Sequence, residues 1–139
     1  MVKLLIGHKG SGKTKKMIEM ANSGLNTVKG SIVFINKNSR LMYDLKYQIR
    51  VVCMEDFEQI KNVDEYIGFI YGILSQDHDI ELIFIDSVLK HVDINFPDIE
   101  GFLERVDQIS KAYNIDFVVS LSANREEIGP CIEKYEVLN

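Results

Sequence analysis

The chain of 139 residues reads as an α/β protein, a three-layer α/β/α sandwich around a mainly parallel sheet, organised as a single domain over residues 1–139. Three observations predict this. The segment Gly7-His8-Lys9-Gly10-Ser11-Gly12-Lys13-Thr14 matches the pattern GxxxxGK[ST] and directly follows the apolar run Val2 to Ile6. A second run, Ile80 to Ile85, is almost continuously hydrophobic and ends at Asp86, as strands covered on both faces of a parallel sheet do. Between and beyond these runs, strand and helix signals alternate, which right-handed crossovers stack into a parallel sheet with helices on both faces.

The elements follow in order. After the strand at Val2 to Ile6 and the glycine-bearing loop, Met17, Ile18 and Ala21 recur at helical spacing within Lys15 to Ala21, and Gly24 offers a C-terminal cap. Ser31 to Asn36 is a second strand, with Gly30 before it and a polar stretch to Ser39 after it. Arg40 to Tyr47 is expected to form a short turn or helix leading to a minor strand at Ile49 to Met54, and Asp56 stands where it can cap the next segment. Asn62 with Glu65 resembles a capping box for a helix through Leu74, and Ile60, Val63, Ile67, Ile70 and Leu74 fall on its core face.

The strand Ile80 to Asp86 is followed by a polar loop, then by Pro97 at a first helical position. Ile99, Phe102, Leu103, Val106, Ile109 and Tyr113 mark an amphipathic helix. Ile115 to Leu121 is another apolar strand, and a loop through Gly129 and Pro130 leads to a last short strand, Lys134 to Leu138. No low-complexity stretch, repeat or linker interrupts the chain.

The loop residues carry a definite chemistry. Glycines let backbone N–H groups close around phosphate oxygens, Lys13 brings a charge to the β and γ phosphates, and the Thr14 hydroxyl is a ligand for Mg²⁺. The helix that begins there turns its positive end to the anion. The expected nucleotide contacts are therefore Gly7, His8, Lys9, Gly10, Ser11, Gly12, Lys13, Thr14 and Lys15, with ATP and Mg²⁺ as ligands. His8 and Lys9 are variable loop positions, able to tune access to the phosphates or to face solvent. Asp86 ends its strand on the sheet edge where parallel sheets bind ligands, so it is expected to hold the metal with Thr14 or to orient a metal-bound water. The alternative for Asp86 is a cap on the following turn.

Composition sets limits. A chain of this length buries roughly two thirds of its unfolded surface, and 46% hydrophobic content supplies a full core. The net charge of −5 and the pI near 5.2 favour solubility and argue against a generally basic nucleic-acid surface, so nucleic acid is not indicated. Cys53 and Cys131 are too few and too far apart for a zinc site or redox pair, and suit a reducing compartment. With a first strand starting at Val2, no leader is expected, no apolar run approaches membrane-spanning length, and a cytoplasmic location is expected.

The phosphate loop, the strand ending Ile85-Asp86-Ser87, the helix after it and the strand ending Ser120-Leu121-Ser122-Ala123-Asn124 resemble the core of RecA-like P-loop NTPases. Gly7 to Thr14 then corresponds to the Walker A motif and Asp86 to Walker B. The resemblance implies that the Walker A strand lies between the strand at 115 to 121 and the last strand. It also implies that Ser120, Ser122 or Asn124 sits by the γ phosphate as a polar sensor, with Ser122 taken as the catalytic candidate alongside Lys13 and Asp86.

Departures from that family shape the functional expectation. Ser87 and Asn36 stand where many of these enzymes have a water-activating Glu. Glu55 and Asp56, after the minor strand, are substitute bases, and Arg125 is a candidate transition-state cation in its own or a neighbouring site. Mg²⁺-dependent ATP binding with slow hydrolysis is expected, raised by a macromolecular partner or by self-association into a homo-oligomer. Two alternatives stand beside it: a small-molecule or nucleoside kinase, since size and element order are similar to the core of thymidine kinases, and a nucleotide-dependent binding module. The zinc-binding lasso of those kinases is missing, and the four arginines are too dispersed for a nucleotide-kinase lid. Asn36-Lys37-Asn38-Ser39 lacks the Asp of a guanine-reading motif. A likeness to twitching-motility ATPases would rest on the phosphate loop alone.

Overall fold

Alternate residues of every long strand are buried in two separate clusters, and this alternation defines the two faces of the sheet. The computed structural model describes residues 1–139, apart from the side chain of His91. Its strands are β1 (Val2–Gly7), β2 (Ser31–Asn36), β3 (Arg50–Cys53), β4 (Ile80–Ile85), β5 (Asp116–Ser122) and β6 (Glu136–Val137). They form one sheet in the order β3-β2-β4-β5-β1-β6, with every strand pairing parallel. The first strand, β1, lies between β5 and β6, as the family resemblance implied.

On one face Leu4, Ile6, Val33, Ile35, Ile83, Ile85, Phe117 and Val119 pack under helices α2 (Val63–Gln76) and α4 (Ile99–Tyr113), which supply Ile67, Ile70, Phe102 and Val106. On the other, Leu5, Ile32, Phe34, Phe84 and Val118 meet Met17, Ile18 and Ala21 of α1 (Lys13–Gly24). Phe34 and Phe84 stack there at 5.5 Å between ring centroids, side by side on adjacent strands. Period-2 strands meeting period-3.6 helices thus give the expected three-layer α/β/α sandwich. Among the described residues no helix is long and apolar enough to cross a membrane.

Several local expectations shift. The first helix keeps Gly24 as its last residue and is capped by Leu25, in a right-handed conformation, so Gly24 is not a left-handed cap. The minor strand is trimmed to Arg50–Cys53, and the segment before it is only a 3₁₀ turn at Met42–Asp44, tied to α1 because Asn22 bonds the backbone of Asp44 and Lys46. Asp56 lies inside a 3₁₀ turn, Met54–Phe57, instead of capping a helix. Asn62 does cap α2, accepting from the Glu65 amide at 2.9 Å, but the Glu65 carboxylate reaches back to the Lys61 amide and not to that of Asn62. Tyr66 is a fully buried member of that helix face, in edge contact with Phe102, whereas Tyr113 of α4 is 53% exposed.

The polar loop after β4 contains a helical turn, α3 (Val88–His91), and the loop after β5 contains α5 (Arg125–Ile128) and a 3₁₀ turn, Pro130–Lys134. These turns were not legible because each is too short to show a helical period. The last strand shrinks to two residues for a related reason: Lys134 belongs to the preceding turn.

Candidate functional site

The C-terminal ends of β1, β4 and β5 lie side by side, so the loops leaving them converge. From β1 the chain passes into α1 through Gly10 and Gly12, with φ of 87° and 86°, a conformation that a side chain disfavours. Gly12 is the N-cap of α1 and offers no side-chain cap, and the first helical turn contains no acidic residue. The first N–H groups and the positive end of the helix are therefore left to the loop, the local arrangement that suits an anion.

Lys13 folds back over this loop. Its Nζ donates to the Gly7 carbonyl at 2.7 Å, to the His8 carbonyl at 3.0 Å and to Ser11 Oγ at 3.4 Å. Only 7% of the residue is exposed, and burial holds its pKa below the ordinary lysine value; the Asp86 carboxylate opposes that shift and Lys90 adds to it. Lys9 and Lys15 stand exposed on either side.

Asp86 is 1% exposed just past the end of β4, its amide donating to the Ile35 carbonyl of β2 at 2.9 Å. Three hydroxyls satisfy its carboxylate. Thr14 Oγ1 donates to Oδ2 at 2.8 Å, Ser120 Oγ donates to Oδ1 at 2.7 Å, and Ser87 Oγ donates to Oδ1 at 3.3 Å. The Ser87 amide in turn donates to Ser120 Oγ at 2.7 Å. Ser87 adopts φ of 58°, and it, not Asp86, occupies the N-cap position of α3 without a side-chain cap bond. Asp86 is thus bonded to the first turn of α1, to β5 and to the Ser87 hydroxyl beside it, but it is not the cap of the turn that follows.

A cavity of about 270 Å³ opens beside the loop. Its charged lining consists of Lys9, Lys13, Lys15 and Lys90, with Gly10, Gly12, Thr14, Ser87 and Ser122 completing the wall, and no carboxylate lines it among the described residues. Of the three sensor candidates, Ser122 reaches this cavity; Ser120 is fully buried and spent on Asp86. Asn124 is the N-cap of α5, accepting from the Glu127 amide at 2.8 Å in a capping box. Arg125 begins α5, exposed and outside the cavity lining.

The substitute bases are also apart from the loop. Glu55 lines a neighbouring cavity of about 290 Å³ with Lys37, Glu58, Lys61 and Lys90, and Asp56 is exposed. Asn36 ends β2 with its side chain accepting from the Lys37 amide at 2.7 Å. Sequence reasoning missed Lys90, which lines both cavities. Its only sequence signal is a lysine four residues after the strand-ending carboxylate, meaningful once the intervening residues are known to turn as a helix.

No protein-family model matches the chain, and no curated protein matches it. Among solved structures it is similar to the flagellar accessory protein FlaH from Methanocaldococcus jannaschii, with a TM-score of 0.59 and 11% identity over 96% of this chain and 65% of that one. The chain therefore spans less than two thirds of that protein's length. Likeness at such identity concerns architecture, and together with a sheet that holds β1 between β5 and β6 it assigns the chain to the RecA-like class of α/β folds.

Proposed function

We propose that the chain binds ATP with Mg²⁺ at the loop of residues 7–14 and transfers the γ phosphoryl slowly to water, faster when a partner or another copy completes the site. The observation that carries this reading is the meeting of Lys13, Thr14 and Asp86 at the head of a helix whose first N–H groups have no side-chain cap. A metal fits the pair: two neighbouring ligands of an octahedral Mg²⁺, each at about 2.0–2.1 Å, stand roughly 2.8–3.0 Å apart. Thr14 Oγ1 and Asp86 Oδ2 are 2.8 Å apart. Thr14 and Asp86 would hold the ion, which when bound neutralises charge on the β and γ phosphates.

The chain's own groups account for the rest. Lys13 exchanges its carbonyl partners for phosphate oxygens, Ser120 and Ser87 hold the Asp86 carboxylate in place, and the four-lysine lining attracts a polyanion. Slowness follows from the same lining. No carboxylate faces the cavity among the described residues, so nothing there draws a proton from the attacking water.

A second reading, phosphoryl transfer to a small molecule, is favoured by one observation: the neighbouring cavity carries Glu55 and shares Lys90 with the phosphate cavity. Turnover of radiolabelled ATP with and without candidate nucleosides separates the readings, since inorganic phosphate marks hydrolysis and a labelled nucleotide marks transfer. Binding without either product would leave a nucleotide-dependent binding module. Failure to bind ATP in calorimetry overturns all three.

A further inference from the structure

The turn after β4 places a charge that the phosphate loop does not supply. Ser87, in its left-handed conformation, redirects the chain as it leaves Asp86 and starts α3. Val88 is fully buried and Val92 6% exposed, so this short segment is anchored in the core by one side. Lys90, two residues past Val88, lies about 200° round a helical turn from it, on the opposite side. There it is exposed and forms part of the wall of the 270 Å³ cavity together with the loop residues Lys9 to Lys15 that line it. No ion pair involves Lys90 among the described residues.

We propose that Lys90 is a catalytic residue: its ammonium contacts the γ phosphoryl of bound ATP and stabilises the charge of the transferring group from within the same chain. The inference rests on the nucleotide reading above and deepens it. In the step, the bond from the γ phosphorus to the β–γ bridging oxygen breaks and that oxygen leaves with the electron pair as ADP. A new bond forms from water oxygen to phosphorus, and the water's proton passes through the product phosphate to solvent. Because the phosphoryl group in flight carries its charge on peripheral oxygens, a second cation in the cavity beside Lys13 is worth more there than in the ground state.

Lys90 fits this role better than Arg125 does within one chain, since Arg125 is absent from the cavity lining. It also serves either acceptor. The wall it shares with the neighbouring cavity puts it between the phosphate loop and anything bound beside Glu55.

The test compares wild type with Lys90→Ala and Lys90→Arg. In single-turnover reactions with protein in excess, Lys90→Ala is expected to slow phosphoryl release at least tenfold, at every protein concentration, a larger factor than its loss of affinity for a non-hydrolysable ATP analogue. Lys90→Arg, which keeps the charge, is expected to recover most of the rate. A second measurement needs no turnover: ADP with aluminium fluoride, a mimic of the phosphoryl in flight, should bind Lys90→Ala at least tenfold more weakly than wild type, with ADP alone unaffected. If Lys90→Ala matches wild type in both rate and fluoroaluminate affinity, the inference is overturned. If wild type fails to bind ATP at all, the nucleotide reading itself has failed, a result that calorimetry distinguishes.

Discussion

Thr14 Oγ1 donates a 2.8 Å hydrogen bond to Asp86 Oδ2, joining the first turn of α1 to the end of β4 across 72 residues of chain. Two elements that share no local sequence are thereby fixed at the spacing that one divalent cation takes between adjacent ligands. The bond ties the most recognisable motif of the chain to the carboxylate just past the end of β4.

On the proposed metal-holding role of this pair, binding should depend on Mg²⁺. Thr14→Ala and Asp86→Ala should each weaken ATP binding about tenfold or more in the presence of Mg²⁺, and much less in its absence, because each removes a ligand to the ion and not to the phosphates. Calorimetric titrations with Mg²⁺ and with EDTA provide the check. An affinity of the wild-type protein that is indifferent to EDTA would count against both metal roles.

Lys13→Ala removes a charge-assisted hydrogen bond to phosphate worth roughly 1.5–3 kcal/mol, so ATP should bind about ten- to a hundredfold more weakly while the fold survives. The pH dependence has a definite sign. Burial lowers the Lys13 pKa below 10.5, so the unfolded chain holds that proton more firmly than the folded one does. The Lys13 contribution to nucleotide-free stability is therefore unfavourable at neutral pH and improves as pH rises from the lowered folded value toward the unfolded one. ATP affinity should move the opposite way, falling as Lys13 loses its charge at a lower pH than an exposed lysine would. Titrations of wild type and Lys13→Ala across the alkaline range will show whether this loss belongs to Lys13.

Ser120 and Ser122 are expected to separate stability from function. Ser120→Ala leaves a buried carboxylate oxygen and the Ser87 amide without their shared hydroxyl, which should cost about 1–3 kcal/mol in chemical denaturation. Ser122→Ala, at the cavity wall, should change stability by less than about 0.5 kcal/mol while slowing turnover of bound ATP. Equal effects of the two substitutions on stability would contradict the division.

For Arg125 the expected site of action is a neighbouring chain. Specific activity should rise with protein concentration, and a mixture of Arg125→Ala with Lys13→Ala chains should regain activity through hybrid sites, each retaining one intact Lys13 and one intact Arg125. Activity that is flat with concentration, and no recovery on mixing, would remove the finger role and leave the charge to Lys90.

Residues adjacent in the chain carried most of what was legible beforehand. The glycine-bearing loop Gly7 to Thr14 is a run of consecutive letters; strands covered on both faces, such as Ile80 to Ile85, are equally plain because all but Glu81 are apolar. Even the neighbours of β1 were foreseen, through the resemblance of element order to a known class of folds. The inventory of polar side chains at the site was not legible. Ser120, Ser122, Asn124 and Arg125 look interchangeable as strand-end residues, yet one serves Asp86, one reaches the cavity, one caps α5 and one faces solvent. Parallel register sorts the two serines, because residues two apart share a face but sit at different depths along the strand. Lys90 needed more still: a left-handed Ser87 and a buried Val88 orient a single helical turn whose four residues carry no readable period. Local chemistry is written along the backbone, whereas contacts such as Ser120 with Asp86, 34 residues apart, arise only when packing sets the relative positions of strands.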